Sequence, residues 1–213
     1  MDRLEVGLWH LAQRGKRCVD ALRKNGFDAL FLPDREAVRS RVLQECGTAL
    51  TIGFGGSMTV AELGIHEALE GKGKRLLDHG RVPAGEKAAT RMAQLTCDLF
   101  LTGTNAVTLD GCLVNMDMNG NRTNAMTFGP KKIVVVAGAN KVVADVPEGM
   151  RRIKSTAAPR NARRLQLSTP CASTGFCSDC DSPQRICRVY SIIERKPPLS
   201  DITVLLCGEP MGF

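Results

Sequence analysis

The run FGPKKIVVVAGANKVV, residues 128–143, decides the fold. Its centre, Lys132 to Ala137, carries four branched apolar residues in succession. A strand with one wet face alternates apolar and polar side chains, whereas a continuous apolar run belongs to a strand covered on both faces. Coverage on both faces is the mark of a parallel sheet sandwiched between helices.

Working outward, the same alternation recurs along the chain. Residues 2–25 read as a helix, with Leu4, Leu8, Leu11, Val19 and Leu22 at helical spacing and Asn25-Gly26 as its stop. Phe27–Leu32 reads as a strand, Asp34 as the cap of a helix reaching about Cys46, and Ala49–Phe54 as a strand running into a helix near Thr59. Arg75–Leu77 and Asp98–Thr102 read as strands on either side of a helix over Ala84–Leu95, followed by a loop-rich stretch from Gly103 to Gly129. Pro147 and Pro159 open two helices, and Val189–Glu194 and Ile202–Cys207 read as the last strands. The sequence therefore predicts an α/β fold, a parallel sheet flanked by helices. It predicts one domain over residues 1–213, with a cysteine-rich loop at 170–188 on its edge.

The chain has 213 residues, 43% hydrophobic and 24% charged, in the range of an ordinary globular protein. Its longest apolar run suits a strand and not a bilayer span, and the N-terminus carries no apolar leader, so no membrane association and a cytoplasmic location are expected. The net charge of +7 is concentrated in residues 151–196, with ten Lys or Arg against three acids. A solvated face, compensation of an anionic metal–thiolate group, and docking to an acidic partner all fit this excess. Nucleic acid is not expected, because no aromatic residues interleave with the basic ones.

Three constellations fall at the predicted C-terminal ends of strands, where open parallel sheets place ligands. The first is GFGGSMT, residues 53–59, in which Gly55 and Gly56 let the backbone approach a ligand, and Ser57 and Thr59 offer hydroxyls. A helix N-terminus there would favour an anion. The alternative is a glycine-rich turn capped by Ser57. The second is TGTNAVTLDGCLVNMDMNGNRTNAM, residues 102–126, dense in amides and carboxyls. Thr104, Asn105 and Asn115 are candidates for binding a hydroxylated or carboxylate ligand, and Asp110 for an acid or base. Turn chemistry accounts for part of this density. The third is the exit of the central strand, where Asn140 and Lys141 would meet the same mouth. No flavin or nicotinamide fingerprint is present.

Nine cysteines are more than a generic core needs. Cys171, Cys177, Cys180 and Cys187 crowd into TPCASTGFCSDCDSPQRIC, in a turn-rich segment. In a reducing compartment four such thiols point to metal ligation, with zinc and a [4Fe–4S] cluster both open. A redox disulfide between Cys177 and Cys180, and reduced structural thiols, are the other readings. The remaining five cysteines, and the isolated His10, His66 and His79, read as structural.

GFGGSMT, LTGTNAVTLDGCLVNMDMNGNR, FGPKKIVVVAGANKVV and the four-cysteine tail together resemble the LUD-domain family of lactate-utilisation proteins, specifically a subgroup with this tail. The resemblance implies a Rossmann-like fold similar to the sugar isomerase and CoA-transferase superfamily. It also implies a role beside iron–sulfur proteins in oxidising L-lactate to pyruvate, with a small carboxylate or sugar phosphate as ligand. Where the isomerase relatives place a catalytic aspartate, this chain has Thr104 or Asn105. A stand-alone isomerase or CoA-transferase-like enzyme and a metal-binding regulatory protein are the alternatives.

Overall fold

The computed structural model describes residues 2–213. A long helix, α1 (Arg3–Lys24), opens the chain; Asp2 and Glu5 cap it reciprocally, and Asn25 ends it. Then follow β1 (Asp28–Leu32), α2 (Arg35–Glu45) capped by Asp34, β2 (Thr51–Phe54), α3 (Met58–Ala61), α4 (Ile65–Leu69), β3 (Arg75–Asp78), α5 (Lys87–Gln94) and β4 (Leu99–Gly103). The stretch expected to be mostly loop instead contains β5 (Ala106–Thr108), β6 (Leu113–Asp117) and α6 (Asn121–Thr127). The chain closes with β7 (Lys132–Gly138), β8 (Val142–Val143), α7 (Val146–Arg152), α8 (Ala158–Arg164), α9 (Pro170–Thr174), β9 (Val189–Ile193) and β10 (Ile202–Cys207). A wide π-turn over Ile153–Ala157 joins α7 to α8, directly ahead of Pro159.

Six strands form one parallel sheet in the order β1-β10-β7-β4-β2-β3, a Rossmann-like arrangement flanked by helices. β7 is central, as its unbroken apolar run requires. Ile133, Val135 and Ala137 face one apolar cluster, shared with Cys18, Val19 and Leu22 of α1. Val134 and Val136 face the other, shared with Val38 and Val42 of α2 and Ile65 of α4.

A second, mixed sheet runs β8-β5-β6-β9. β5 and β6 pair antiparallel as a hairpin, and β9 lies antiparallel to β6. Thus Val189–Ile193 is a strand as expected, but in this sheet and not the parallel one. One face of the small sheet, with Val107, Leu113 and Ile193, joins the α1 side of the main core. The other, with Ala106, Val114 and Met116, packs on Ile153, Ala158, Ala162 and Ala172, the third apolar cluster.

Candidate functional site

All six parallel strands end on one edge, and a cavity of about 580 Å³ opens there. Gly55, Gly56 and Ser57 enter it after β2, His79 after β3, Gly103, Thr104 and Asn105 after β4, and Lys141 after β7. The strand-end rule places these residues together because each is the first loop residue, or nearly so, beyond a parallel strand. Two glycines permit the close approach. Gly56 has φ +70, a left-handed conformation, and a Cβ on Gly103 would stand 2.5 Å from the Ser57 hydroxyl oxygen.

Lys141 is the dominant charge. Its side chain is 4% exposed. Nζ donates to Thr59 Oγ1 at 2.7 Å and to the Thr104 carbonyl at 3.2 Å. Both partners are neutral, so no carboxylate compensates the ammonium directly. Burial first, then the guanidiniums of Arg152 and Arg122, pull its pKa from 10.5 to about 7; Glu62 opposes them weakly. Arg152 is a second, half-buried cation. It donates to the carbonyls of Asn105 at 2.6 Å and Asn140 at 3.3 Å, and burial brings its pKa down to about 10. Arg91 also lines the cavity, with its Nε buried and unpartnered.

Arg122, by contrast, is saturated. It pairs with Asp117 at 2.8 Å and donates to Asn105 Oδ1, Asn115 Oδ1 and the carbonyls of Gly103 and Met116. Asn105, Asn115 and Asp117 of residues 102–126 hold this guanidinium against the wall. Asn115 is fully buried behind it: its Oδ1 accepts from Arg122 and from the Asn105 N–H, whereas its Nδ2 is buried without a partner.

The other expected residues are placed as follows. Thr59 sits under the cavity floor as the acceptor for Lys141. Asn140 turns away from the cavity. Its Oδ1 accepts from Met211 N–H at 3.0 Å and its Nδ2 donates to the Gly212 carbonyl, pinning the C-terminal segment. Asp110 stands at the other end of the β5–β6 hairpin. Its carbonyl accepts from Asn25 at the end of α1, and its carboxylate accepts from Thr108. That turn is at the edge where the parallel strands begin, because Gly111 docks against the Ala21 backbone. The helix after Ser57 is a single turn, α3, so its dipole adds little beside Lys141.

His79 is a site residue that the sequence reading treated as structural. Gln94 Nε2 contacts its Nδ1 at 3.1 Å while donating to the Phe54 and Leu77 carbonyls. The two hydrogens of the Gln94 amide go to those two carbonyls, so the Nδ1 contact does not fix the tautomer of the ring. Burial and the Arg91 charge lower its pKa, which favours the neutral ring. Nε2 faces the Gly56 turn, where an added Cβ would lie 3.5 Å away. The signal was available: His79 follows β3 directly, at the edge where ligands bind.

The four clustered cysteines lie beside the cavity wall. Cys171 on α9 and Cys187 pack on the third apolar cluster, Cys180 is half-buried and Cys177 exposed. Among the described residues no three His, Cys, Asp or Glu side chains are gathered closely enough to hold a metal ion. Ile186, between Arg185 and Cys187, is buried and lines the cavity. No helix of the described residues is long and apolar enough to cross a membrane.

No curated protein matches the sequence. Among solved structures, a crystal structure of a DUF162 family protein from Deinococcus radiodurans is similar, with 13% identity and a TM-score of 0.48, over 97% of this chain and 99% of that one. The LUD domain matches residues 15–207, nearly the whole chain. This chain belongs to the LUD domain family, which is associated with lactate utilisation.

Proposed function

We propose that the cavity binds a small anion, a 2-hydroxy or 2-oxo carboxylate or a sugar phosphate, and that the protein serves as an accessory subunit in the oxidation of L-lactate to pyruvate, beside iron–sulfur partners. One observation carries the anion reading: Lys141 is a buried cation at the ligand-bearing edge whose two hydrogen-bond partners are both neutral. A buried charge without a counter-charge is costly, and an anionic ligand removes that cost on binding. Arg91 Nε adds a donor for a carbonyl or hydroxyl oxygen, and the His79 ring adds a second polar group at the cavity.

A second reading, a stand-alone enzyme of the isomerase type, draws on the same groups. An amine that titrates near neutrality and a neutral imidazole suit proton transfer beside a carbonyl. Calorimetry with lactate, pyruvate and a panel of sugar phosphates tests the binding reading. Ser57→Asp keeps a capping oxygen for α3 but puts a negative charge into the cavity, and it should weaken binding by about tenfold or more. Heat from none of the panel, or equal affinity in Ser57→Asp, refutes it. Turnover of a sugar phosphate by the isolated chain selects the enzyme reading.

A further inference from the structure

We infer that Cys171, Cys177, Cys180 and Cys187 are the four ligands of one thiolate metal centre, a zinc ion or a [4Fe–4S] cluster, built into the loop that walls the cavity. The first ground is the shape of the Cys177–Cys180 turn. Asp179 adopts φ +51, a left-handed conformation unusual for a residue other than glycine. In that conformation its N–H donates to Cys177 Sγ at 3.5 Å. A backbone N–H aimed at sulfur stabilises a thiolate and not a neutral thiol, and the sharp turn lets both sulfurs of a C-x-x-C address one ion.

The second ground is Arg185. Its guanidinium donates to the Cys180 carbonyl at 2.7 Å and the Cys187 carbonyl at 2.8 Å, and pairs with Asp179 at 2.7 Å. One side chain thus fixes the backbone at two of the four cysteines and holds the side chain between Cys177 and Cys180. Lys154 reaches Asp179 from the π-turn at 3.3 Å, tying the loop to the fold.

The third ground is Tyr190, whose hydroxyl is buried without a hydrogen-bond partner. The ionisable side chains around it are Lys154, Cys187, Cys177 and Arg185. A buried O–H without an acceptor is costly, and a metal-bound thiolate would supply one.

Residues 175–188 form no helix or strand and bury few side chains, Ile186 excepted. The sulfurs can therefore draw together without breaking regular structure. On ligation each thiol gives its proton to solvent, and four thiolates around a divalent ion leave a net negative centre. Arg185, Arg188 and Lys154 lie in the loop or against it and offset that charge, which accounts for part of the basic excess in residues 151–196.

The test is metal analysis and a visible spectrum of the full chain purified anaerobically with reductant. About one zinc ion per chain without colour, or about four irons with broad absorbance bleached by dithionite, supports the centre and says which it is. Cys180→Ser and Cys187→Ser should each lower metal content by about tenfold, whereas Cys97→Ser, in the core away from the loop, should retain it. If the loop variants fail to fold, an organomercurial titration of the wild-type chain should release the metal as these thiols react. A chain that carries no metal and takes up neither zinc nor iron and sulfide, or one that keeps its metal in both loop variants, overturns the inference. These readouts need no cavity ligand, so they fail independently of anion binding.

Discussion

Replacing Lys141 with methionine isolates the charge that the anion reading depends on. The amine's fall from 10.5 to about 7 corresponds to roughly 5 kcal/mol of preference for the neutral form in the folded state. The unfolded chain holds that proton up to about pH 10.5 and the folded chain releases it from about pH 7, so the unfolded state binds more protons across this window. Wild-type stability must therefore rise with pH there, relative to a variant that cannot titrate. The gain should be roughly 2 kcal/mol between about pH 7 and about pH 9. Below the window both states are charged and the full penalty applies. Methionine removes the penalty but strands the Thr59 hydroxyl and the Thr104 carbonyl, at about 1–3 kcal/mol each. Lys141→Met should thus be as stable as wild type or modestly more so at neutral pH, and lose that advantage in base. Urea unfolding of both proteins from about pH 6 to about pH 9 reads the difference, in which the buried cysteines cancel. A saturating anion should hold Lys141 protonated and flatten the wild-type gain. Parallel stability curves would show that the lysine is fully charged and already compensated, and the anion argument would fall with it.

Two further outcomes follow from other contacts. Asp98 accepts from the Leu50 and Thr51 N–H groups and the Thr51 hydroxyl, and pairs with Lys131 at 2.8 Å. Lys131 first and then Thr51 hold its carboxyl well below the ordinary 3.8, so its stabilisation is present above that value and lost as pH falls further. Asp98→Asn should lower the melting temperature at neutral pH, and calorimetric scans should show the gap closing in strong acid; a gap independent of pH would mean that the charge contributes nothing. Gly129 has φ +127, and a Cβ there would overlap the Leu95 carbonyl oxygen. Gly129→Ala should cost about 2–4 kcal/mol in denaturant unfolding, and an unchanged midpoint would contradict the packing described.

The parallel sheet was legible because its strands are buried on both faces and say so in unbroken apolar runs, Ile133–Ala137 and Val204–Cys207 above all. The small sheet was not. β5 is three residues long, and β6 interleaves Asn115 and Asp117 with apolar residues, so the hairpin reads as a loop rich in turn formers. The strand-end residues Gly55, Gly56, Ser57, Thr104, Asn105 and Lys141 were found by topology alone, and the structure gathers them at one cavity. Asp110 was grouped with them by proximity in sequence, but the hairpin carries it to the opposite edge. Arg122 was overlooked because an arginine opening a short helix gives no local sign that five acceptors will converge on it.

The order β1-β10-β7-β4-β2-β3 has a consequence for how the protein is made. β10 follows every other strand in the chain, yet it sits inside the sheet, between β1 and β7. During synthesis β1 emerges first and has no strand to pair with until residues 202–207 leave the ribosome. β7, β4, β2 and β3 can associate earlier, but β7 then shows one open edge and both apolar faces near it. The nascent chain therefore carries an unsealed sheet until its final strand slots in, and a chaperone that shields open strand edges would be needed most just before that moment.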